Sequence, residues 1–527
     1  MKRCTRALVA VASIVAAAMT PGALAREVPF AGDLAPGRAS ALGPEVGGND
    51  VRISAAGGVG DASYGAYFAT AATNPDAGEI LVCWEGEDNV ELVNNEREIF
   101  CQRLEATSGA EIADDFRVSD MGGLGSAAYM AHDPHLVYNP VDQLYLVVWS
   151  GSDDSDDLVA GEFEIFGQLL AGADAAEIGT DFRISDMGLD GDLLSSARYP
   201  AAAFNATDDE LLVCWEGDDA APPANQDLEI YCQRLEGATG AEVGSNDFRV
   251  SDMGPDDSSL FTAEAASVAW SSGPDEYLVV WKGDDDTAPL VSGEDEIFVQ
   301  RLAGATGAEV GTNDQRVSDM GPNGSSAYDA AHPTVAYAPA EDEYLVCWAA
   351  DDDLAGLVDE EDEIFCQRLA AATGVEAGVN DFRVSAMGPD GDSTFDAVRP
   401  WLAHSEAFDI YLVVWYGDTD GGTLVNGELE LFAQGLDTAT GEALGADDFR
   451  LTDMGPDGDT FFHALSPVVV STPAGAGEFL VAWHGSDNVG GVEPSEHEIY
   501  IQRLRADFLF WDGFESGDTS EWSAEAP

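Results

Sequence analysis

The chain has 527 residues, and 99 acidic side chains against 22 lysines and arginines give a formal net charge of −77. A surface of that sign repels nucleic acid and anionic lipid, which excludes both as partners. It suits cations, basic partners or plain solubility in salt, where screening relieves the self-repulsion.

Residues 1–25 carry Lys2, Arg3 and Arg6, then an apolar run from Ala7 to Met19, then Ala23-Leu24-Ala25. The pattern predicts a secretory signal peptide, too short and wrongly flanked for a membrane span. The mature protein is expected to be secreted or cell-surface, with no span of its own. Cys4 lies ahead of the apolar run instead of at the cleavage point, which argues against a lipoprotein anchor. Residues 26–48 are rich in Ala, Gly and Pro without periodicity and read as a flexible leader.

From residue 49 to 505 one unit recurs. Its marker tryptophans are Trp84, Trp149, Trp215, Trp281, Trp348, Trp415 and Trp483, spaced by 65, 66, 66, 67, 67 and 68 residues. Each copy predicts four short strands. The first is a segment such as His135–Tyr138 or Thr334–Tyr337, often entered through a proline. The second is of the YLVVW type, the third of the EIFxQRL type, and the fourth DFRVSD, reached through a turn such as Ala305–Glu309. Short strands linked in order make a meander, and a repeated four-stranded meander of this length is expected to form a propeller blade.

The last copy ends after Leu504 without its FRVS strand, whereas Val51–Ser54 forms such a strand with no copy before it. The fold expected is therefore all-β, a seven-bladed β-propeller of four-stranded antiparallel blades, closed by an N-terminal strand completing the last blade. Closure removes the exposed edge that an open array would leave.

Outside the predicted signal, six cysteines fall in pairs at two fixed repeat positions: Cys83 with Cys101, Cys214 with Cys232, Cys347 with Cys366. Other copies place Val148 with Gly167, Val280 with Val299, Val414 with Ala433 and Ala482 with Ile501 there. Both members change together, so the positions are expected to oppose each other on antiparallel strands and, in an exported chain, to form disulfides. Buried free thiols are the alternative.

The loops between second and third strands, and those between blades, share one face and carry most of the acid. Clustered carboxylates suit a hard cation such as calcium; the candidate ligands are Asp284, Asp285, Asp286, Asp390, Asp392, Asp457 and Asp459, the last four within two Gly-Pro-Asp-Gly-Asp turns. Neither turn matches an EF-hand loop. The arginines of the QRL and FRVS elements repeat and are expected to pair with Glu and Asp of adjacent strands, while Arg198 and Arg399 stand just ahead of inner strands and look into the channel mouth. His132, His135, His332, His404, His463, His484 and His497 show no metal-ligand spacing.

Two resemblances complete the reading. The blades are similar to the broad group of WD-, kelch- and sialidase-type propellers without carrying one signature: the Trp-x-Gly-Asp element of Trp281–Asp284 resembles a WD repeat, but its Gly-His partner and an intact sialidase Asp-box are missing. Within residues 506–527, FLFWDGFESGDTSEWS resembles the ending of many unrelated exported bacterial proteins and implies a sorting role for that tail. The expected function is a secreted, monomeric module that binds a protein or glycan, with weak calcium binding on the acidic face, no other cofactor and no catalysis. The alternative is an extracellular glycan-acting hydrolase or lyase with its site at the channel mouth. An enzyme should gather non-repeated acid, base and aromatic groups at that mouth, whereas a binder shows repeated ones.

Overall fold

The computed structural model describes residues 45–505, except 59, 91, 155–157, 192, 194, 220–226, 256–257, 354–355, 420–422, 473–477 and 490, and except the side chains of 446 and 447. The predicted signal peptide, most of the leader and the tail lie outside the described residues. Among those described, twenty-eight strands form seven four-stranded antiparallel sheets and no helix is long and apolar enough to cross a membrane. Each innermost strand, such as Ala66–Asn74 of blade 1 or Ala397–Ser405 of blade 6, packs against the innermost strands of the blades on either side, and the seventh meets the first. The sheets therefore close into a ring.

The second strands explain why a blade cannot stand alone. Residues such as Tyr277–Trp281 are buried on both faces, and the marker tryptophans from Trp149 onward are fully enclosed. One face of Leu278, Val280, Ile297 and Val299 packs on Tyr344, Val346, Trp348 and Phe365 of the next blade. A fully buried tryptophan contributes on the order of 5 kcal/mol of hydrophobic transfer, and only a neighbouring blade supplies the cover.

Cys83 faces Cys101, Cys214 faces Cys232 and Cys347 faces Cys366 in register, each with Cα atoms 4.0 Å apart and joined as a disulfide. Three such bonds place maturation in an oxidising compartment.

The outer strands differ in extent from expectation. They start at the turn glutamate and end at the arginine, as in Glu242–Arg249, instead of spanning DFRVSD. A bulge at Gly244 and Asp247, both at positive φ, breaks the ladder between Cys232 and Arg234. Past Arg249 the chain leaves the sheet so that Ser251 can donate its hydroxyl to buried Glu229 and accept the Ile230 N–H at 2.7 Å. Glu229 in turn accepts the Met253 N–H at 2.9 Å.

This carboxylate clamp recurs in every blade as Ser119–Glu98, Ser185–Glu164, Ser251–Glu229, Ser318–Glu296, Ser385–Glu363, Thr452–Glu430 and Ser54–Glu498. The last pair joins the two ends of the chain. The strand Glu45–Arg52 pairs with Glu498–Arg505, Val51 opposite Ile501, so the N-terminus completes blade 7 down to its clamp. It begins at Glu45, within the segment read as leader, because Glu45 and Val46 resume pairing beyond a bulge at Gly47 and Asp50.

The repeated arginines are structural. Arg103 binds Glu79 at 2.8 Å, Arg234 binds Glu210 at 2.5 Å and Arg301 binds Glu276 at 3.2 Å, while Arg183 joins Glu164, Asp186 and Asp190. Where the QRL arginine is lost the glutamate is lost with it: Leu146 opposite Leu169 is flanked by Leu144, and Leu412 opposite Gly435 by Ile410. Charge pairs are thus kept or discarded whole, which avoids a half-buried unpaired charge.

Candidate functional site at the channel mouth

The expected calcium ligands occupy separate places. Asp284 accepts the Gly293 N–H at 2.6 Å, Asp285 accepts the N–H groups of Thr287 and Gly254, and Asp286 is exposed. Asp390 binds Arg383 at 2.8 Å, Asp392 accepts the Thr394 hydroxyl, Asp457 binds Arg450 at 3.0 Å and Asp459 accepts the Phe461 N–H. Other loop acids clasp the next blade: Glu162 holds the Gly191 N–H, Glu361 that of Gly391 and Glu428 that of Gly458. Much of the acid on this face therefore serves backbone donors that sheets leave unpaired. Among the described residues no group of three or more His, Cys, Asp or Glu is arranged to hold a metal ion.

A different cluster lies where the innermost strands enter the ring. In each of them the register slips after the second residue, and the third sits at a φ between 49° and 55°: Phe68, Asp133, Tyr199, Ala265, His332, Arg399 and Ser466. The slip is a bulge, which re-aims two successive side chains toward the axis. The geometry repeats and the residues do not. The preceding positions are likewise varied, with Tyr67, His132, Arg198 and Glu264, as are the residues one past the tryptophan, with Glu85, Ser150, Glu216, Lys282, Tyr416 and His484.

These three positions meet between blades. The Asp133 N–H donates to Glu85 at 3.0 Å, the Tyr199 N–H to Ser150 at 3.0 Å, the Ala265 N–H to Glu216 at 2.9 Å and the Phe68 N–H to His484 Nδ1 at 3.3 Å. These four bulge donors are thereby satisfied by the blade before them. Glu85 also binds Arg97 at 2.6 Å and lies 3.2 Å from His132 Nδ1. Lys282 bridges Glu264 at 3.2 Å and Asp295 at 2.9 Å.

Burial sets the electrostatics. It raises the Asp133 carboxyl to about 6, with Glu85 adding to the rise while His132, Arg399 and Arg198 oppose it. Burial also lifts Glu216 to about 7 and Asp362 to about 7. The imidazoles move the other way, His332 down to about 4 and His484 to about 3, through burial and then nearby positive charge, so both are neutral acceptors or donors near pH 7. Arg399 acts on Asp133, Tyr199, His332, Tyr416 and His484, which belong to five blades, and so lies near the axis.

Below the mouth the next inward ring is Thr70, His135, Ala201, Ser267, Thr334, Trp401 and Val468. Trp401 reaches across from blade 6 to the His135 ring of blade 2, centroids 6.2 Å apart, and packs on the clusters flanking blade 7. Its ring thus spans the space between blades 6 and 2 beneath the mouth.

The two arginines singled out from sequence, Arg198 and Arg399, are both here. Sequence reasoning set aside the histidines for want of ligand spacing, and the ring brings His132, His332, His484 and His497 to one end. The usable signal was the failure to repeat: aligning the seven copies shows these three positions, with the ring below them, varying in chemistry while the second and third strands repeat.

No protein-family model matches the chain, and no curated protein sequence matches it. Among solved structures it is similar to a polysaccharide lyase, an ulvan lyase bound to a glucuronate–sulfated rhamnose unit, at TM-score 0.48 and 10% identity over 87% of this chain and 95% of that one. It is similar to an α-L-arabinofuranosidase of Fusarium graminearum at TM-score 0.43 and 10% identity, over 88% of this chain and 99% of that one. An α-L-arabinanase of Penicillium chrysogenum gives TM-score 0.43 and 11% identity over 88% and 99%. Those structures are enzymes acting on glycans. The expectation of a binding module without catalysis is corrected at the mouth itself, where acid, base and aromatic groups that differ from blade to blade gather at one end, the arrangement expected of the alternative and not of a binder.

Proposed function

We propose that the protein is an exported glycan-acting enzyme, a hydrolase or lyase, whose site is the channel mouth on the acidic loop face. The observation that carries this reading is the single bulge position whose seven copies are Phe68, Asp133, Tyr199, Ala265, His332, Arg399 and Ser466. A purely structural position repeats its residue, as the Ser–Glu clamp does; here the fold is held constant and the chemistry is diversified.

Burial brings both carboxyls toward neutral pH, and their neighbours divide the roles: His132, Arg399 and Arg198 favour the ionised form of Asp133, assigned as base or nucleophile, while the negative charges of Glu264 and Asp133 favour the protonated form of Glu216, assigned as donor to the leaving oxygen. Tyr199, 47% exposed and acted on by both carboxyls, offers a ring face to a sugar. Trp401, against the His135 ring, lies beneath.

The test is turnover on a panel of neutral and acidic polysaccharides, read as new reducing ends and as the ultraviolet absorbance of an unsaturated uronide. Reducing ends alone indicate hydrolysis, and both together indicate elimination. Asp133→Asn and Glu216→Gln should each reduce turnover by about 10²- to 10⁴-fold with the fold intact. No cleavage of any member of the panel by the folded chain removes the reading.

A further inference from the structure

In the described residues nearly all arginines occupy the two repeat positions. Outside them stand Arg97, Arg198, Lys282, Arg399 and, at the end of the last strand, Arg505. The first four all lie at the mouth. In a chain of net charge −77 this convergence needs a cause.

The four are not equivalent. Arg97 is committed to Glu85 and Glu87, and Lys282 to Glu264 and Asp295. Among the described residues Arg198 and Arg399 make no ion pair and no side-chain hydrogen bond. Each lies instead against an aromatic face: the Arg198 guanidinium is 4.0 Å from the Phe163 ring centroid, and that of Arg399 is 5.7 Å from the Phe68 centroid. A guanidinium laid against a ring is oriented without using its N–H donors, and those donors match the fork of a carboxylate or sulfate. Were the two arginines present only to offset mouth acids, contact with a carboxylate would be expected, as the repeated arginines make. Both side chains are half-buried and so remain reachable.

We propose that Arg198 and Arg399 form an anion subsite at the mouth, and that the glycan taken there carries carboxylate or sulfate groups. The proposal rests on the mouth being a glycan site, and it assigns the substrate class. Asp133 lies within the field of both arginines, so the bound anion and the reacting carboxylate share one pair of cations, which orients the charged sugar relative to Asp133.

The test is calorimetric titration of the full chain carrying Glu216→Gln, which slows turnover, with three oligosaccharides of equal length: a galacturonate, a sulfated galactan and an unsubstituted galactan. At least one anionic oligomer should bind about ten- to a hundredfold tighter than the neutral one, as charge-assisted hydrogen bonds imply. The carboxylate and sulfate arms identify the group. Adding Arg198→Ala or Arg399→Ala should erase the preference while the melting temperature holds. Arg198→Gln and Arg399→Gln, which retain the stem over the ring, serve if the alanine variants fail to fold. Equal binding of neutral and anionic oligomers, or a preference that survives both substitutions, overturns the subsite. Anionic binding without cleavage by the unsubstituted chain leaves the subsite standing and removes the enzymatic reading. Cleavage of neutral glycans alone does the reverse.

Discussion

Two sets of buried carboxyls can be set side by side in this ring. The clamp glutamates, Glu98, Glu164, Glu229, Glu296, Glu363 and Glu430, are pushed by burial to about 7 or 8, and the mouth carboxyls Asp133 and Glu216 to about 6 and 7. A shifted pKa therefore does not separate site from scaffold here. Partners do. The clamp glutamates of blades 1 to 6 each meet a Ser or Thr hydroxyl and a methionine N–H, whereas the Asp133 carboxyl lies among Glu85, His132, Arg198 and Arg399, and Glu216 beside Glu264, Asp133 and Arg198, charged groups at positions that differ from blade to blade. In a repeat protein, a perturbed group is informative when its surroundings break the repeat.

The comparison breaks first at the ring's seam, where the largest effect is expected. Deleting the chain through Ser54 removes the outer strand of blade 7 and its clamp hydroxyl, leaving Glu498 with only the Ala56 N–H and the Ile499 N–H unpaired. Four cross-strand residue pairs and the burial of Ile53 go with it, a loss on the order of 5 kcal/mol, and the strand Glu498–Arg505 becomes an exposed edge. Chemical denaturation should show a lower midpoint, and light scattering should show association. An unchanged midpoint would mean that the ring does not depend on its seam.

A paired substitution sharpens the contrast. Asp133→Asn should cost about 10²- to 10⁴-fold in turnover with little change in melting temperature. Ser318→Ala, which strips one hydroxyl from Glu296 and the Ile297 N–H, should cost about 1 to 3 kcal/mol of stability and leave turnover unchanged at temperatures where the protein is folded. Calorimetry and kinetics on both variants decide, and the reverse pattern would exchange the two roles.

The ring, its blade number, its seam and its disulfide pairs were legible because each rests on a spacing or a covariation: Trp every 65 to 68 residues, Cys83 changing with Cys101, VRIS spare at one end and missing at the other. The mouth was legible only in part. Arg198 and Arg399 stand out by sequence position, but His332, Glu216 and Tyr416 come from three blades and are neighbours of one axis only after closure. The roles of the acidic loops were not legible, because carboxylates that attract a cation and carboxylates that cap a backbone N–H look alike in a sequence. Glu162 and Gly191 lie 29 residues apart, and nothing local announces that pair.

The disulfides offer a smaller effect with an internal control. Replacing Cys214 and Cys232 by valines reproduces the opposed Val280 and Val299 of blade 4, both buried. A loop of this size is expected to give about 3 kcal/mol from constraint of the unfolded chain. Since the valine pair restores apolar contact, the measured loss should fall below that. A loss well above it would assign the bond a role beyond chain constraint.

The pH dependence of stability is the subtlest test, because it reads the clamps collectively. Each clamp glutamate has a folded pKa raised from 4.5 to about 7 or 8, so its favourable contribution is complete below about pH 4.5 and is lost as pH rises through 7 to 8. Buried histidines oppose this on the acid side: His135 and His332, lowered to about 4, contribute stability that is complete above 6.5 and lost as pH falls through 4. Between pH 6.5 and 8.5 the histidine effect is spent and the raised carboxyls remain, the clamp glutamates together with Glu216, Asp247, Asp314, Asp362 and Asp381 at about 7, so the melting temperature should fall steadily across that window, and should fall less in Glu296→Gln, where one titrating clamp is gone. Raising sodium chloride from about 0.01 to 0.15 M shortens the screening length from roughly 30 to 8 Å and should relieve the general repulsion of a highly acidic surface without removing this slope. Calcium at equal ionic strength should act as sodium does, since the loop acids are already engaged with backbone donors and arginines. A calcium-specific rise in melting temperature would return the acidic loops, and not the mouth, to the centre of the functional question.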